Sequence, residues 1–81
     1  MQTTLDTLKP GDEAVVKQLQ GEPEITGRLM EMGLVTGTPI KVLKFAPLGD
    51  PLEIVMRGYH LTLRRTEAAG IIVELKENSN T

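Results

Sequence analysis

The chain has 81 residues, with nine Lys plus Arg against eleven Asp plus Glu, one His, one Tyr, one Phe, and neither Cys nor Trp. That length makes one small domain whose core is nearly the whole protein, and the lack of cysteine excludes a disulfide framework, a thiolate metal site and a thiol nucleophile. A formal net charge of −2 argues against a phosphate-backbone binder, and apolar runs of three residues, as in Ile71-Ile72-Val73, are far too short for a membrane-spanning helix.

Met1 to Asp6 shows neither the basic start nor the apolar stretch of a signal peptide, so the chain is expected to stay in the cytoplasm, a reducing compartment that suits a cysteine-free sequence. Lys9-Pro10-Gly11-Asp12 is a type II turn signal, with glycine where φ must be positive. Glu13 to Leu19 is rich in β-branched residues and reads as the first strand, ending at Gly21-Glu22-Pro23. From Glu24 to Met32 the spacing changes: Ile25, Leu29 and Met32 share one face of a short helix. Gly33 then supplies a left-handed cap and Leu34 folds back on Leu29, a Schellman ending in which a β-branched residue at position 33 would be strained.

Val35 to Pro39 is a second turn cluster, and Ile40 to Phe45 a mixed apolar and basic strand. Ala46-Pro47-Leu48-Gly49-Asp50-Pro51 cannot sit inside a ladder and forms a rigid loop. Between Leu52 and Arg65, a two-residue turn at Gly58-Tyr59 would pair Arg57 with His60, Met56 with Leu61, Val55 with Thr62, Ile54 with Leu63 and Glu53 with Arg64. That register puts Ile54, Met56, Leu61 and Leu63 on a core face and the charged residues outside. Thr66 to Gly70 suits a single 3₁₀ turn capped by Thr66, Ile71, Val73 and Leu75 point inward along a last strand, and 77–81 is a disordered polar tail.

About five antiparallel strands with one short inserted helix describe a mainly β protein, a small SH3-like barrel over residues 1–76. Charge is unevenly spread along it. Residues 41–65 hold five basic residues (Lys41, Lys44, Arg57, Arg64, Arg65) against two acidic ones (Asp50, Glu53), so one side of the fold is expected to be locally positive.

Four segments, Leu8-Lys9-Pro10-Gly11, Arg28-Leu29-Met30-Glu31-Met32-Gly33-Leu34-Val35-Thr36-Gly37, Ala46-Pro47-Leu48-Gly49-Asp50-Pro51 and Leu61-Thr62-Leu63-Arg64-Arg65-Thr66-Glu67-Ala68, occur in the order and spacing of one family. Through them nearly the whole chain resembles the ferrous iron transport protein A (FeoA) family of small cytoplasmic SH3-like domains. The resemblance implies an accessory role in bacterial ferrous iron uptake beside FeoB, a membrane permease with a cytosolic GTP-binding domain. It implies neither an enzyme nor a cofactor, and contact with the membrane only through the transporter. The same fold resembles the C-terminal domain of diphtheria-toxin-repressor-type metalloregulators, whose DNA-binding helix-turn-helix has no counterpart here.

Candidate chemistry is sparse. His60 could ligate a metal with Glu53, but there is no second His, no Cys and no carboxylate pair at ligand spacing, so no metal site is expected. Met30, Met32 and Met56 are read as packing residues, since thioethers favour Cu(I) over Fe(II). No nucleophile and base pair and no phosphate loop is present, leaving an arginine finger from Arg28, Arg57, Arg64 or Arg65 as the one catalytic contribution to a partner. Nucleic-acid binding by a Lys41, Lys44, Arg57, Arg64 and Arg65 stripe is the alternative function, weakened by scarce aromatics and by a Glu53–Arg64 pair. Too few aromatics also line any polyproline groove. A protein docking surface is therefore expected on the helix end and the proline-containing loop, at Arg28, Met30, Glu31, Leu34, Leu48 and Asp50, with Val55 a further apolar candidate; open strand edges leave weak self-association available.

Overall fold

The computed structural model describes residues 1–76; the expected polar tail at 77–81 lies outside the described residues. Six strands, β1 (Gln2–Thr4), β2 (Glu13–Leu19), β3 (Pro39–Phe45), β4 (Leu52–Met56), β5 (Tyr59–Leu63) and β6 (Ile71–Leu75), form one antiparallel sheet in the order β1-β6-β2-β3-β4-β5. Helix α1 (Pro23–Glu31) follows β2, and a one-turn helix α2 (Arg65–Ala68) precedes β6. This is an SH3-like barrel with one strand more than expected. The extra strand, β1, is the polar Gln-Thr-Thr segment, which carries no apolar alternation and is held by pairing Thr3 with Val73.

Two bulges bend the sheet and correct its chemistry. In β2 the register shifts between Val16 and Gln18, and in β3 between Val42 and Lys44. Ala14 and Val16 face the core, and an unbroken period of two would aim Gln18 inward next; the extra residue Lys17 turns Gln18 out and Leu19 in. Leu43 does the same in β3, keeping exposed Lys44 off the core and packing Phe45 against it. Across these strands Val16, Val42, Leu52, Ile54 and Val73 are fully buried.

The expected turns form. Asp12 N–H donates to the Lys9 carbonyl at 2.9 Å, with Gly11 at φ +94°. Helix α1 starts with Pro23, whose missing N–H costs nothing in the first turn, and ends in a Schellman motif: Leu34 N–H donates to Leu29 O at 3.1 Å and Gly33 N–H to Met30 O at 2.9 Å, with Gly33 at φ +106°. Gly27 lies inside this helix and a Cβ there would meet nothing within 4 Å. Gly27→Ala is thus expected to stabilise the protein by about 0.5–1 kcal/mol, read as a rise in thermal midpoint, because alanine removes backbone freedom from the unfolded chain without strain.

The β4–β5 hairpin departs from its expected register. Its turn is Arg57-Gly58, both at positive φ (+49° and +87°), the pattern of a type I′ turn, rather than Gly58-Tyr59. Met56 pairs with Tyr59, Val55 with His60, Ile54 with Leu61, Glu53 with Thr62 and Leu52 with Leu63. Each residue of β4 therefore meets a partner two positions earlier than expected. A shift of two preserves the faces, so Ile54, Met56 and Leu63 are buried and Leu61 half-buried as the alternation required.

Helix α2 is likewise not a 3₁₀ turn capped by Thr66. Ala68 N–H donates to Arg64 O at 3.0 Å and Ala69 N–H to Arg65 O at 2.9 Å, so Arg64 is the cap residue. Two carboxylates finish its first turn: Glu67 accepts Arg64 N–H at 3.0 Å and Asp50 accepts Arg65 N–H at 3.1 Å.

Candidate docking surface

Four of the exposed large apolar residues gather where α1 ends against the hairpin turn. Met30 (48% exposed), Met32, Val35 and Tyr59 emerge around the Gly33 turn, and the Tyr59 hydroxyl donates to the Met32 carbonyl. Beneath them Thr38 is fully buried, its hydroxyl donating to the Gly33 carbonyl at 3.0 Å, and Leu34 is fully buried on the core. Helix spacing placed Met32 on the core face. It is exposed because regular helix stops at Glu31 and Met32 is the C-cap, past the point where the face meets the barrel.

Of the six residues expected at a docking face, Met30 and Glu31 sit exposed on this patch. Leu34 does not present its side chain, since the Schellman turn folds it inward. Arg28 is exposed but ion-paired with Glu67. Leu48 is 97% exposed at the tip of its loop, and Asp50 is occupied in capping α2. The helix end and the loop meet the hairpin at opposite ends of β4. Tyr59 anchors the first at the turn end of the hairpin, whereas the loop enters β4 at Leu52, four strand steps or about 13 Å away.

Arg65, read from the sequence as part of a basic stripe and as an arginine-finger candidate, organises that loop. Its backbone N–H meets Asp50, its guanidinium donates to the carbonyls of Gly49 (3.1 Å) and Asp6 (3.4 Å), and it lies 5.3 Å from the centroid of Phe45. One face of the Phe45 ring is thus covered by a cation. Within the loop, Gly49 N–H donates to Ala46 O at 2.7 Å and Ala46 N–H to Pro51 O at 2.8 Å. Beside it lies a cavity of about 450 Å³, lined by Lys44, Phe45, Pro47, Pro51 and Glu53 among others.

The outer face of β3 to β5 carries the expected positive bias, with a different pairing. Glu53 does not reach Arg64; its carboxylate lies 2.7 Å from His60 Nδ1 and 3.9 Å from Lys44 Nζ. The two-residue shift in register accounts for this, because Glu53 now stands beside Thr62 and diagonal to His60. Val55 is half-buried between Lys41 and His60. Among the described residues no three His, Asp or Glu gather as a metal cluster, and no helix is long and apolar enough to cross a membrane. At the opposite edge of the sheet, the hydrogen bond from the Met1 ammonium holds the Glu74 carboxyl below its ordinary value.

No local pattern marks Tyr59 or Val35 as exposed apolar residues beside the helix end. Both belong to turns whose mutual position depends on the closed fold.

Residues 3–75 match the model of the FeoA domain. The chain is 40% identical over 77 residues to an Fe(2+) transport protein A/Fe(2+) transporter FeoB fusion protein of Porphyromonas gingivalis, covering 95% of this chain and 9% of that protein, so it spans a small part of that relative's length. Among solved structures, the FeoA protein of Chlorobium tepidum superposes with a TM-score of 0.87 at 49% identity, over 93% of this chain and 71% of that one. A zinc complex of Stenotrophomonas maltophilia FeoA, a prokaryotic SH3 domain protein, is similar at 30% identity and a TM-score of 0.79, over 89% of each chain.

Proposed function

This chain belongs to the FeoA family, and from that premise we propose that it is a non-catalytic accessory module of bacterial ferrous iron transport, working in the cytoplasm by docking on the cytosolic part of an FeoB-type transporter and supporting or regulating it. The observation that carries the reading is the relative in which a transport protein A segment and an FeoB segment share one polypeptide, a linkage that holds two interacting modules at high effective concentration. The helix-end patch supplies a fitting anchor. Met30, Met32, Val35 and Tyr59 offer apolar area beside Glu31 and Arg57, the pattern of an apolar centre with a charged rim.

The test is an amide NMR titration of this domain with a purified FeoB GTP-binding domain in its nucleotide-loaded form. Shifts centred on Met30 to Val35 and on Tyr59 are expected. Met30→Asp should weaken binding by about 2 kcal/mol, roughly thirtyfold in Kd, while leaving the fold intact, because its side chain is half exposed. Binding that survives Met30→Asp unchanged and falls with Leu48→Asp would move the contact to the proline-containing loop.

A further inference from the structure

The sheet has two edges, and only one is a developed strand. At the β1 edge the strand is three residues long, whereas β5 offers five residues paired on one side only, to β4. Because the two-residue turn makes Met56 and Tyr59 a hydrogen-bonded pair, the bonding alternates along β5, and Leu61 and Leu63 also face β4. The N–H and C=O groups of His60 and Thr62 therefore point away from the sheet. Neither residue makes a backbone hydrogen bond elsewhere among the described residues. Tyr59, His60 and Thr62 are exposed and Leu61 half-buried, so nothing covers this edge.

Such an edge is a template for another strand, and its charges select which one. His60, Thr62 and Arg64 project to the outer face, where Lys41 and Lys44 also lie, and Arg57 stands in the turn at one end of the strand. Arg57 and Arg64 form no side-chain ion pair among the described residues, and the nearby carboxylates are already engaged: Glu53 by His60 and Lys44, Glu67 by Arg28 and the Arg64 N–H, and Asp50 by the Arg65 N–H. On the inner side of the same edge stand Tyr59 and Leu61. A second copy of β5 would bring Arg57 of one strand toward Arg64 and Arg65 of the other, a like-charge contact.

We propose that the β5 edge is a strand-addition site for an extended peptide segment of a partner protein, bound antiparallel, with acidic residues on the outer face and apolar residues toward Tyr59 and Leu61. The antiparallel arrangement is the stronger ladder, and in it a peptide residue opposite His60 or Thr62 shares their face and exchanges both backbone bonds with them. The hydrogen-bonding residues of the peptide are therefore its acidic ones. This inference goes beyond transporter docking and does not depend on it.

The experiment titrates the labelled protein with an acetylated, amidated Glu-Val-Glu-Val-Glu peptide, and with forms N-methylated at the glutamates or at the valines. The expected result is amide shifts at His60 and Thr62, retained with N-methyl-valine, whose nitrogens face solvent. N-methylation of the glutamates should weaken binding by about tenfold or more, the effect of losing two backbone hydrogen bonds. Arg64→Glu, which keeps the backbone bonds that start α2, should weaken it as well. No shift at millimolar peptide, equal binding by the two N-methylated forms, or equal binding by Lys-Val-Lys-Val-Lys would overturn the proposal. Concentration-dependent shifts of the same amides without peptide would overturn it in favour of a second copy of this chain.

Discussion

Gly70→Ala is expected to lower the thermal midpoint by roughly 15 °C, the equivalent of about 3 kcal/mol in a domain of this size. Gly70 does not need a left-handed conformation; its requirement is space. A Cβ at this position would sit 2.3 Å from the Gln20 carbonyl oxygen and 3.3 Å from its carbon. Both are backbone atoms, and they are held in place. Gln20 N–H donates to Gly70 O at 2.6 Å, while Gly70 N–H donates to Glu67 O at 3.1 Å, so this glycine joins the end of β2 to the end of α2. Relieving the clash means parting those segments and losing the Gln20 bond. Alanine at Gly27, where a Cβ meets nothing, is the matched control and should shift the midpoint in the opposite direction. A Gly70→Ala protein that melts with the wild type would show that β2 and α2 can separate freely.

Gly33→Val should cost about 2–3 kcal/mol, and for two reasons that add. At φ +106° a β-branched side chain is strained whatever surrounds it. The surroundings are also close: a Cβ would lie 3.0 Å from Met56 Cε and 3.2 Å from the Tyr59 hydroxyl. Gly33→Ala keeps the contacts and relieves the branching, so it should cost less than valine but more than the effect of φ alone. The two variants differ functionally from Gly70→Ala. Displacing Tyr59 releases the Met32 carbonyl and loosens the proposed docking patch, so partner binding should fall further than stability explains. Chemical denaturation of both variants, with partner titration under conditions where each is fully folded, separates the two effects.

The family to which the chain belongs was legible from four ordered segments, and so was part of the exposure at the helix end. Met30 and Glu31 were placed correctly on the exposed side of α1, because helix periodicity fixes which residues oppose Ile25 and Leu29. Arg28 and Asp50 were exposed as polarity suggested, but their partners, Glu67 and the Arg65 N–H, lie 39 and 15 positions away in the chain. No local pattern could assign them. Leu34 illustrates the same limit within one motif: the glycine stop that identified it also buried it.

What the sequence determined by itself is local and steric. Pro10-Gly11 closes a turn, Gly33 and Leu34 end a helix, and alternation along Leu52 to Leu63 assigns inner and outer faces; each follows from a backbone preference or a period acting over a few residues. The closed fold decided everything to which those rules are indifferent. A strand period of two cannot distinguish registers two residues apart, so the hairpin register was settled by the type I′ twist at Arg57-Gly58 together with the Tyr59 contact to Met32. The bulges at Lys17 and Leu43 break that period outright, because a small barrel must bend and the bend must still turn Gln18 and Lys44 to solvent. Strand β1, too polar to announce itself, exists because β6 offers it a ladder.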